Sequence, residues 1–175
     1  DSHELCLGMP GMHGNYTAVT SMQKSDLLVA LGARFDDRVT GKVDGFAPDA
    51  KIIHVDIDPA EIGKVRKPDV AINGDCRLVI EAMVDLLRQQ DATQTDRSEW
   101  KSTISGWQER FPLTYEDSEP GSRLKPQYVL EQLRDLTPED TIVASGVGQH
   151  QMWTSQYWSF DHPYTWINSG GLGTM

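Results

Sequence analysis

Two uninterrupted apolar runs constrain the fold of this chain more than any other feature. Leu27-Leu28-Val29-Ala30-Leu31 ends at Gly32, and Lys51-Ile52-Ile53-His54-Val55-Asp56-Ile57 stops at Asp58-Pro59. Neither shows the strict polar–apolar alternation of a strand with one wet face. Short apolar runs bounded by turn residues suit strands buried on both faces, as in a parallel sheet. A third, shorter strand is expected over Ala71-Ile72-Asn73-Gly74-Asp75. Behind it Leu78, Val79, Ala82, Met83, Leu86 and Leu87 recur at helical spacing, with Asp75 placed to cap the helix. Burying such a face stabilises by roughly 1.5–3 kcal/mol per large side chain. Ordering the backbone costs roughly 1–2 kcal/mol per residue. The two sums are comparable, so this helix requires a sheet to pack on.

An earlier helix is expected over Asn15–Gln23, after a Gly-rich loop. Residues 89–98 are polar and read as a surface linker. Trp100, Ile104, Trp107 and Phe111 mark one face of a further helix. Glu116–Ser122 is an acidic loop, and Pro126 opens a helix carrying Tyr128, Val129, Leu133 and Leu136. Strands follow at Thr141–Ser145 and Tyr164–Asn168, then the Gly-rich stretch Ser169–Met175. The fold class is therefore α/β: a Rossmann-like parallel sheet flanked by helices over residues 1–90, a linker with a helix over 91–122, and the start of a second α/β domain over 123–175.

Charge and composition exclude several classes. The net charge is -10, and the basic residues Arg34, Arg38, Lys42, Lys64, Arg66 and Lys67 are interspersed with acids, so no basic stripe for nucleic acid is present. No apolar run approaches the roughly 20 residues of a membrane helix. Asp1-Ser2-His3-Glu4 lacks the basic region of a signal peptide. Cys6 and Cys76 lie far apart, outside any CxxC pattern, which suits a reducing cytoplasm.

Four stretches carry candidate chemistry. Gly146-Val147-Gly148-Gln149-His150 follows a strand and opens a helix, where free N–H groups and a positive dipole end would face an anion such as phosphate; an ordinary tight turn bearing a surface histidine is the commoner case for this spacing alone. Gly8-Met9-Pro10-Gly11-Met12-His13-Gly14 is a loop that either wraps a ligand or turns a corner. Asp56 and Asp58 end the second strand, where an acid often takes a ribose hydroxyl; capping of a helix around Pro59-Ala60-Glu61 is the alternative. Phe35-Asp36-Asp37-Arg38 sits past the first strand, so Arg38 is placed either to fork a carboxylate or to pair locally in a solvated turn.

Taken together these stretches resemble the catalytic large subunits of the acetohydroxyacid synthases (acetolactate synthases), a thiamine-diphosphate-dependent family. The resemblance rests on Leu7–Gly14, on Gly32-Ala33-Arg34-Phe35-Asp36-Asp37-Arg38-Val39-Thr40-Gly41-Lys42, on His54–Lys64, on Gly146–Trp153 and on Ser169–Met175, in family order. It implies an internal piece: a central FAD-binding domain, incomplete at its N-terminus, then a truncated thiamine-diphosphate-binding domain. The flavin stretches would be about His13–Arg34 and Asp56–Asp75, with His13, Gly14, Gly32, Arg34, Asp56, Asp58 and Asp75 in that region. Gly148, Gln149 and His150 would meet the diphosphate tail. Gly173 and Met175 would meet the pyrimidine, and Arg38 would line the substrate channel.

The implied reaction decarboxylates pyruvate and joins the two-carbon unit to pyruvate or 2-oxobutyrate, the first common step toward the branched-chain amino acids. The resemblance also implies a homodimer or larger oligomer, a regulatory small subunit and Mg2+. The activating Glu would belong to an N-terminal domain that nothing here matches, and the Mg2+ ligands are expected after Met175. No metal ligand is assigned to this chain, and the chain alone is expected to be inactive. Two alternatives stand beside this reading: a sister flavin-containing enzyme such as a pyruvate oxidase or another carboligase, and a non-catalytic nucleotide-binding module.

Overall fold

The computed structural model describes residues 3–90 and 95–168. Gly173 and Met175 lie outside the described residues. The chain divides into two compact units: one of Pro10–Met12 and Val19–Arg110, the other of Asp1–Met9, His13–Ala18 and Phe111–Met175. Helix α1, Tyr16–Gln23, crosses the division.

The first unit holds a three-stranded parallel sheet of β1 (Leu27–Leu31), β2 (Lys51–Asp56) and β3 (Val70–Asn73), in that order. Leu31 pairs with Val55, and Asp56 with Asn73, so all three strands end along one edge. Between β1 and β2 lie only the short helix α2 (Asp37–Thr40) and a 3-10 turn at Val43–Gly45. Helix α3, Cys76–Gln89, follows β3 directly. Its start is set by Asp75, whose Oδ1 accepts from the N–H groups of Arg77 and Leu78. One core forms from Ala30, Phe35, Phe46, Ala47, Ala50 and Ile52, with Met22, Leu28 and Val39 against it. Gln23 closes one side of it, donating to the Gly45 carbonyl and accepting from the Ala47 N–H.

Burial differs from the sequence expectation in two places. Only β2, the central strand, is closed on both faces: Ile52, His54 and Val55 are fully buried. On β1 the outward residues Leu27, Val29 and Leu31 are 47%, 41% and 42% exposed. The reason is geometric, because side chains alternate faces along a strand and α3 packs on β2. Nor is the apolar stripe of α3 buried, since Leu78, Leu86 and Leu87 are each 55% exposed. The predicted packing surface is thus too narrow to cover that helix. Helix α4, Ser98–Arg110, completes the unit, with Trp100 and Trp107 edge-to-face at 5.6 Å. Phe111 falls just past the end of α4, and its ring packs on Tyr16 at 4.0 Å.

The second unit joins α5 (Pro126–Leu136), β4 (Val143–Ser145), α6 (Gln149–Tyr157) and β5 (Trp166–Asn168). Pro126 stands at the start of α5, where its missing N–H is not needed. β4 and β5 pair in parallel, and both are shorter than the sequence suggested. α5 packs on α6. Arg134 ties α5 to the segment after α6, donating to the Ser159 carbonyl at 2.9 Å and facing Asp161 at 3.6 Å. Phe160 stacks on Trp166 at 5.2 Å, and the Trp166 indole donates to Ser145 Oγ.

Candidate functional site

In the first unit the candidate residues converge on the carboxyl edge of the sheet, where open α/β sheets take ligands. β1 runs into Gly32, whose φ of +64° is a conformation that glycine tolerates best. The Gly32 N–H donates to the Val55 carbonyl at 2.8 Å, holding the turn against β2. Asp56 ends β2 and is buried, with one carboxylate oxygen accepting from the Asp58 N–H at 2.8 Å. Asp58 accepts from the Ala60 N–H in turn. No helix forms at Pro59–Glu61; the segment is a run of turns, so the helix-capping alternative does not hold. Asn73 Nδ2 donates to the carbonyls of Asp56 and Ile57, both at 3.0 Å, and steadies this edge. Gly32, Asp56, Asp58 and Asp75 are thereby brought to one edge of one sheet. Cys76 joins them, with Sγ 3.7 Å from where a Cβ on Gly32 would stand.

This edge suits a dinucleotide. A bare backbone turn at Gly32 permits close approach, and Asp56 keeps one carboxylate oxygen beyond its local hydrogen bond. The N-terminus of α3 is partly used up, because Asp75 already accepts two of its N–H groups. Arg34 is exposed and faces Asp36 at 3.4 Å.

Arg38 lies on α2, in the turn that Asp36 caps by accepting from the Arg38 N–H at 3.0 Å. Its guanidinium pairs with Asp37 at 2.9 Å, and the side chains are 66% and 81% exposed. In this conformation Arg38 makes the local ion pair. Its exposure leaves it free to exchange that partner for another carboxylate, since surface pairs of this kind are worth roughly 0–1 kcal/mol. The Gly-rich loop reaches the same turn. The Met12 N–H donates to the Arg38 carbonyl at 2.7 Å, and a Cβ on Gly11 would stand 2.8 Å from that oxygen. Gly11, Met12, Met22, Arg38 and Phe46 line a cavity of ≈ 220 Å³ there.

The second unit holds His13, Gly14, Gly148, Gln149 and His150. β4 leads through Gly146-Val147-Gly148 into α6, with Gly148 as the N-cap and no side-chain cap bond. Gly148 has φ of +151°, and a Cβ there would meet the His150 ring at 3.1 Å. The histidine therefore lies folded over the glycine turn, and Gln149 and His150 are both exposed at the helix start. An uncapped helix start beside a side-chain donor and an imidazole fits a diphosphate.

The Gly-rich loop before α1 is held by Asn15. Its Nδ2 donates to the Leu7 carbonyl at 2.6 Å, its N–H to the Met9 carbonyl, and its Oδ1 accepts from the Ala18 N–H. The His13 carbonyl accepts from Gln156 Nε2 at 2.6 Å. Cys6, Gly8 and Met9 line a cavity of ≈ 410 Å³ with Ser155, Phe160 and Trp166. The sequence reading gave neither Asn15 nor Gln156 its part in holding this loop. Asn15 carried a signal, an Asn just before a helix, but Gln156 carried none short of the tertiary contact. Among the described residues no group of three or more His, Cys, Asp or Glu side chains could hold a metal ion, and no helix is long and apolar enough to cross a membrane.

A parallel sheet with a glycine turn at its carboxyl edge, and a strand–glycine–helix turn after it, define an α/β protein with parallel sheets flanked by helices. The sequence agrees: residues 1–83 match the thiamine pyrophosphate enzyme central domain, and residues 146–175 the C-terminal TPP binding domain of such enzymes. The chain belongs to the thiamine pyrophosphate enzymes.

Within that class it is similar along its whole length to acetolactate synthases. It is 55% identical over 175 residues to the acetolactate synthase large subunit of Corynebacterium glutamicum, and 52% identical over 176 residues to the acetolactate synthase of Mycobacterium leprae. Over 172 residues it is 46% identical to the chloroplastic acetolactate synthase 1 of Oryza sativa subsp. japonica. These matches cover 100%, 100% and 98% of the chain, which spans 28%, 28% and 26% of the respective relatives.

Proposed function

We propose that the whole protein is an acetolactate synthase, and that this chain supplies its flavin-binding edge and part of its thiamine-diphosphate site. The observation that carries the reading is identity of 55% across the full chain to an acetolactate synthase large subunit. On this reading residues 1–90 belong to the central FAD-binding domain, 91–122 to a linker and 123–175 to the start of the thiamine-diphosphate-binding domain.

Gln149 and His150, with the start of α6, would hold the diphosphate, and Mg2+ would be bound by residues beyond this chain. Thiamine diphosphate, when bound, supplies the electron sink for decarboxylating a 2-oxo acid. The chain's own residues position and exclude. Gly148 lets the backbone N–H groups come close to the anion, and His150 adds a donor over the turn. Gly32 and Asp56 would take the flavin nucleotide. Arg38 would leave Asp37 to fork the carboxylate of the acceptor, pyruvate or 2-oxobutyrate, and so set its orientation for carbon–carbon bond formation. A homo-oligomer, a regulatory small subunit and a cytoplasmic location complete the proposal.

The test is product analysis of the purified full-length protein with pyruvate, thiamine diphosphate, Mg2+ and FAD. Acetolactate is expected. Oxygen uptake with no acetolactate would instead identify a pyruvate oxidase-like enzyme, and flavin binding without pyruvate turnover a nucleotide-binding module.

A further inference from the structure

We propose that Phe35 is a positioning residue for Arg38: its ring, packed against Phe46 and His54, keeps the backbone in the left-handed turn that sets Arg38 beside the cavity at Gly11 and Met12. The proposal rests on the reading of Arg38 as the partner of the acceptor carboxylate, and gives a task to a core residue that this reading leaves idle.

Two residues in the turn after β1 have positive φ, Gly32 at +64° and Phe35 at +52°. Glycine takes up that conformation without strain, whereas the Cβ of Phe35 crowds its own backbone. A strained residue of this kind persists only where its surroundings hold it. The consequence for Arg38 is geometric. Relaxing φ at Phe35 from +52° to about −60° would rotate the chain that follows by roughly 110°. Asp36, the N-cap of α2, and Arg38 within it would both leave their present line.

The ring supplies the hold. Phe35 is only 8% exposed, and its ring stands edge-on to Phe46 at 6.2 Å and to His54 at 5.1 Å. Both walls are themselves fixed. His54 lies on the central strand and is 1% exposed. Neither of its ring nitrogens meets a hydrogen-bond partner among the described residues, so the imidazole serves there as an aromatic surface. Phe46 precedes Ala47, whose N–H donates to Gln23 Oε1 at 3.0 Å and whose carbonyl accepts from Arg66 at 3.2 Å. A phenyl ring forms no conventional hydrogen bond, so packing is its means of resisting the relaxation of φ. The turn that results is the one whose Arg38 carbonyl accepts from the Met12 N–H, with Arg38 lining the cavity.

The experiment uses full-length protein and Phe35→Leu, which keeps an apolar side chain and removes the ring, alone and combined with Arg38→Ala. Loss of edge-on ring contacts corresponds to a roughly 3- to 10-fold effect. Hydrogen exchange at the amides of Val39, Thr40 and Gly41, which bond back to Asp36 and Asp37, should quicken by that factor, while the β2 amides keep the parent rate. Acetolactate formation from pyruvate should fall by a similar factor. In the Arg38→Ala background Phe35→Leu should add less than about 2-fold, because a residue acting through Arg38 has nothing left to position. His54→Phe, which keeps an aromatic wall without the nitrogens, should match the parent. Parent-like exchange or parent-like turnover in a folded Phe35→Leu variant overturns the proposal. So does an equal loss with and without Arg38, which would make Phe35 an ordinary core residue. Should Phe35→Leu not fold, His54→Leu, which strips one wall only, decides by the same exchange and turnover. A silent Arg38→Ala defeats the reading of Arg38 and this proposal with it, whereas an impaired Arg38→Ala beside an unaltered Phe35→Leu defeats this proposal alone.

Discussion

Tyr115 donates its hydroxyl proton to Glu131 Oε2, joining the segment before α5 to the middle of that helix, while its ring meets Tyr157 of α6 edge-on at 5.6 Å. The hydrogen bond to Glu131 chiefly, then burial, then nearby negative charge, push the Tyr115 phenol from its ordinary 10.0 up to about 12. Tyr157 is also pushed up, by burial first and then by the Glu131 charge. The proton is bound more tightly in the folded state, so its contribution is complete below the unfolded value near 10.0 and is lost as pH rises through about 12. An alkaline difference titration of the parent against Tyr115→Phe should therefore show the missing phenolate absorbance near pH 12. A difference centred on the ordinary phenol range would mean that the bond to Glu131 does not persist in solution.

The glycine turn before α6 should tolerate no side chain. Gly148→Ala places a Cβ 3.1 Å from the His150 ring, on a backbone with φ of +151°. Thiamine-diphosphate affinity of the full-length variant should fall at least as far as in His150→Ala. For that second variant, loss of a hydrogen bond to a charged group predicts a roughly 5- to 150-fold higher dissociation constant. Titration with cofactor followed by intrinsic fluorescence measures both, and an unchanged constant in His150→Ala removes the histidine from the diphosphate site.

Asp56 and Asp75 stand at the same sheet edge but should separate experimentally. Asp75→Ala removes the α3 cap and should cost about 0.5–2 kcal/mol of stability. Asp75→Ser, which keeps a capping oxygen, should restore most of it, as thermal unfolding would show. Asp56→Ala should instead lower flavin occupancy, read from the absorbance of the purified full-length protein. Full occupancy in that variant would leave Asp56 only its turn-forming bond to the Asp58 N–H.

Arg38→Ala should be nearly silent in stability, because its pair with Asp37 is solvent-exposed and worth roughly 0–1 kcal/mol. Acetolactate formation should nevertheless fall well below that of the parent, with the loss in carboligation rather than in cofactor binding. Normal steady-state kinetics in this variant would reduce Arg38 to a surface ion-pair partner.

The elements themselves were legible because they depend on local physics. Apolar runs ending in Gly32 and Asp58-Pro59 announced β1 and β2. Asp75 announced the start of α3, and Pro126 that of α5, since a cap or a ring constraint acts within one turn. The glycine spacing at Gly146 and Gly148 likewise disclosed a strand-to-helix turn. The tertiary structure alone decided what each side chain meets. It sealed His54 on the central strand, with its ring edge-on to Phe35 at 5.1 Å, and left Leu27, Val29 and Leu31 open on the neighbouring strand, although both runs look alike in sequence. It also brought Gln156 to His13 across 143 residues, and Tyr115 to Glu131. Local propensity and periodicity set which residues turn, cap and extend. Which face is covered, and which distant carbonyl a glutamine finds, depends on where other parts of the chain come to rest.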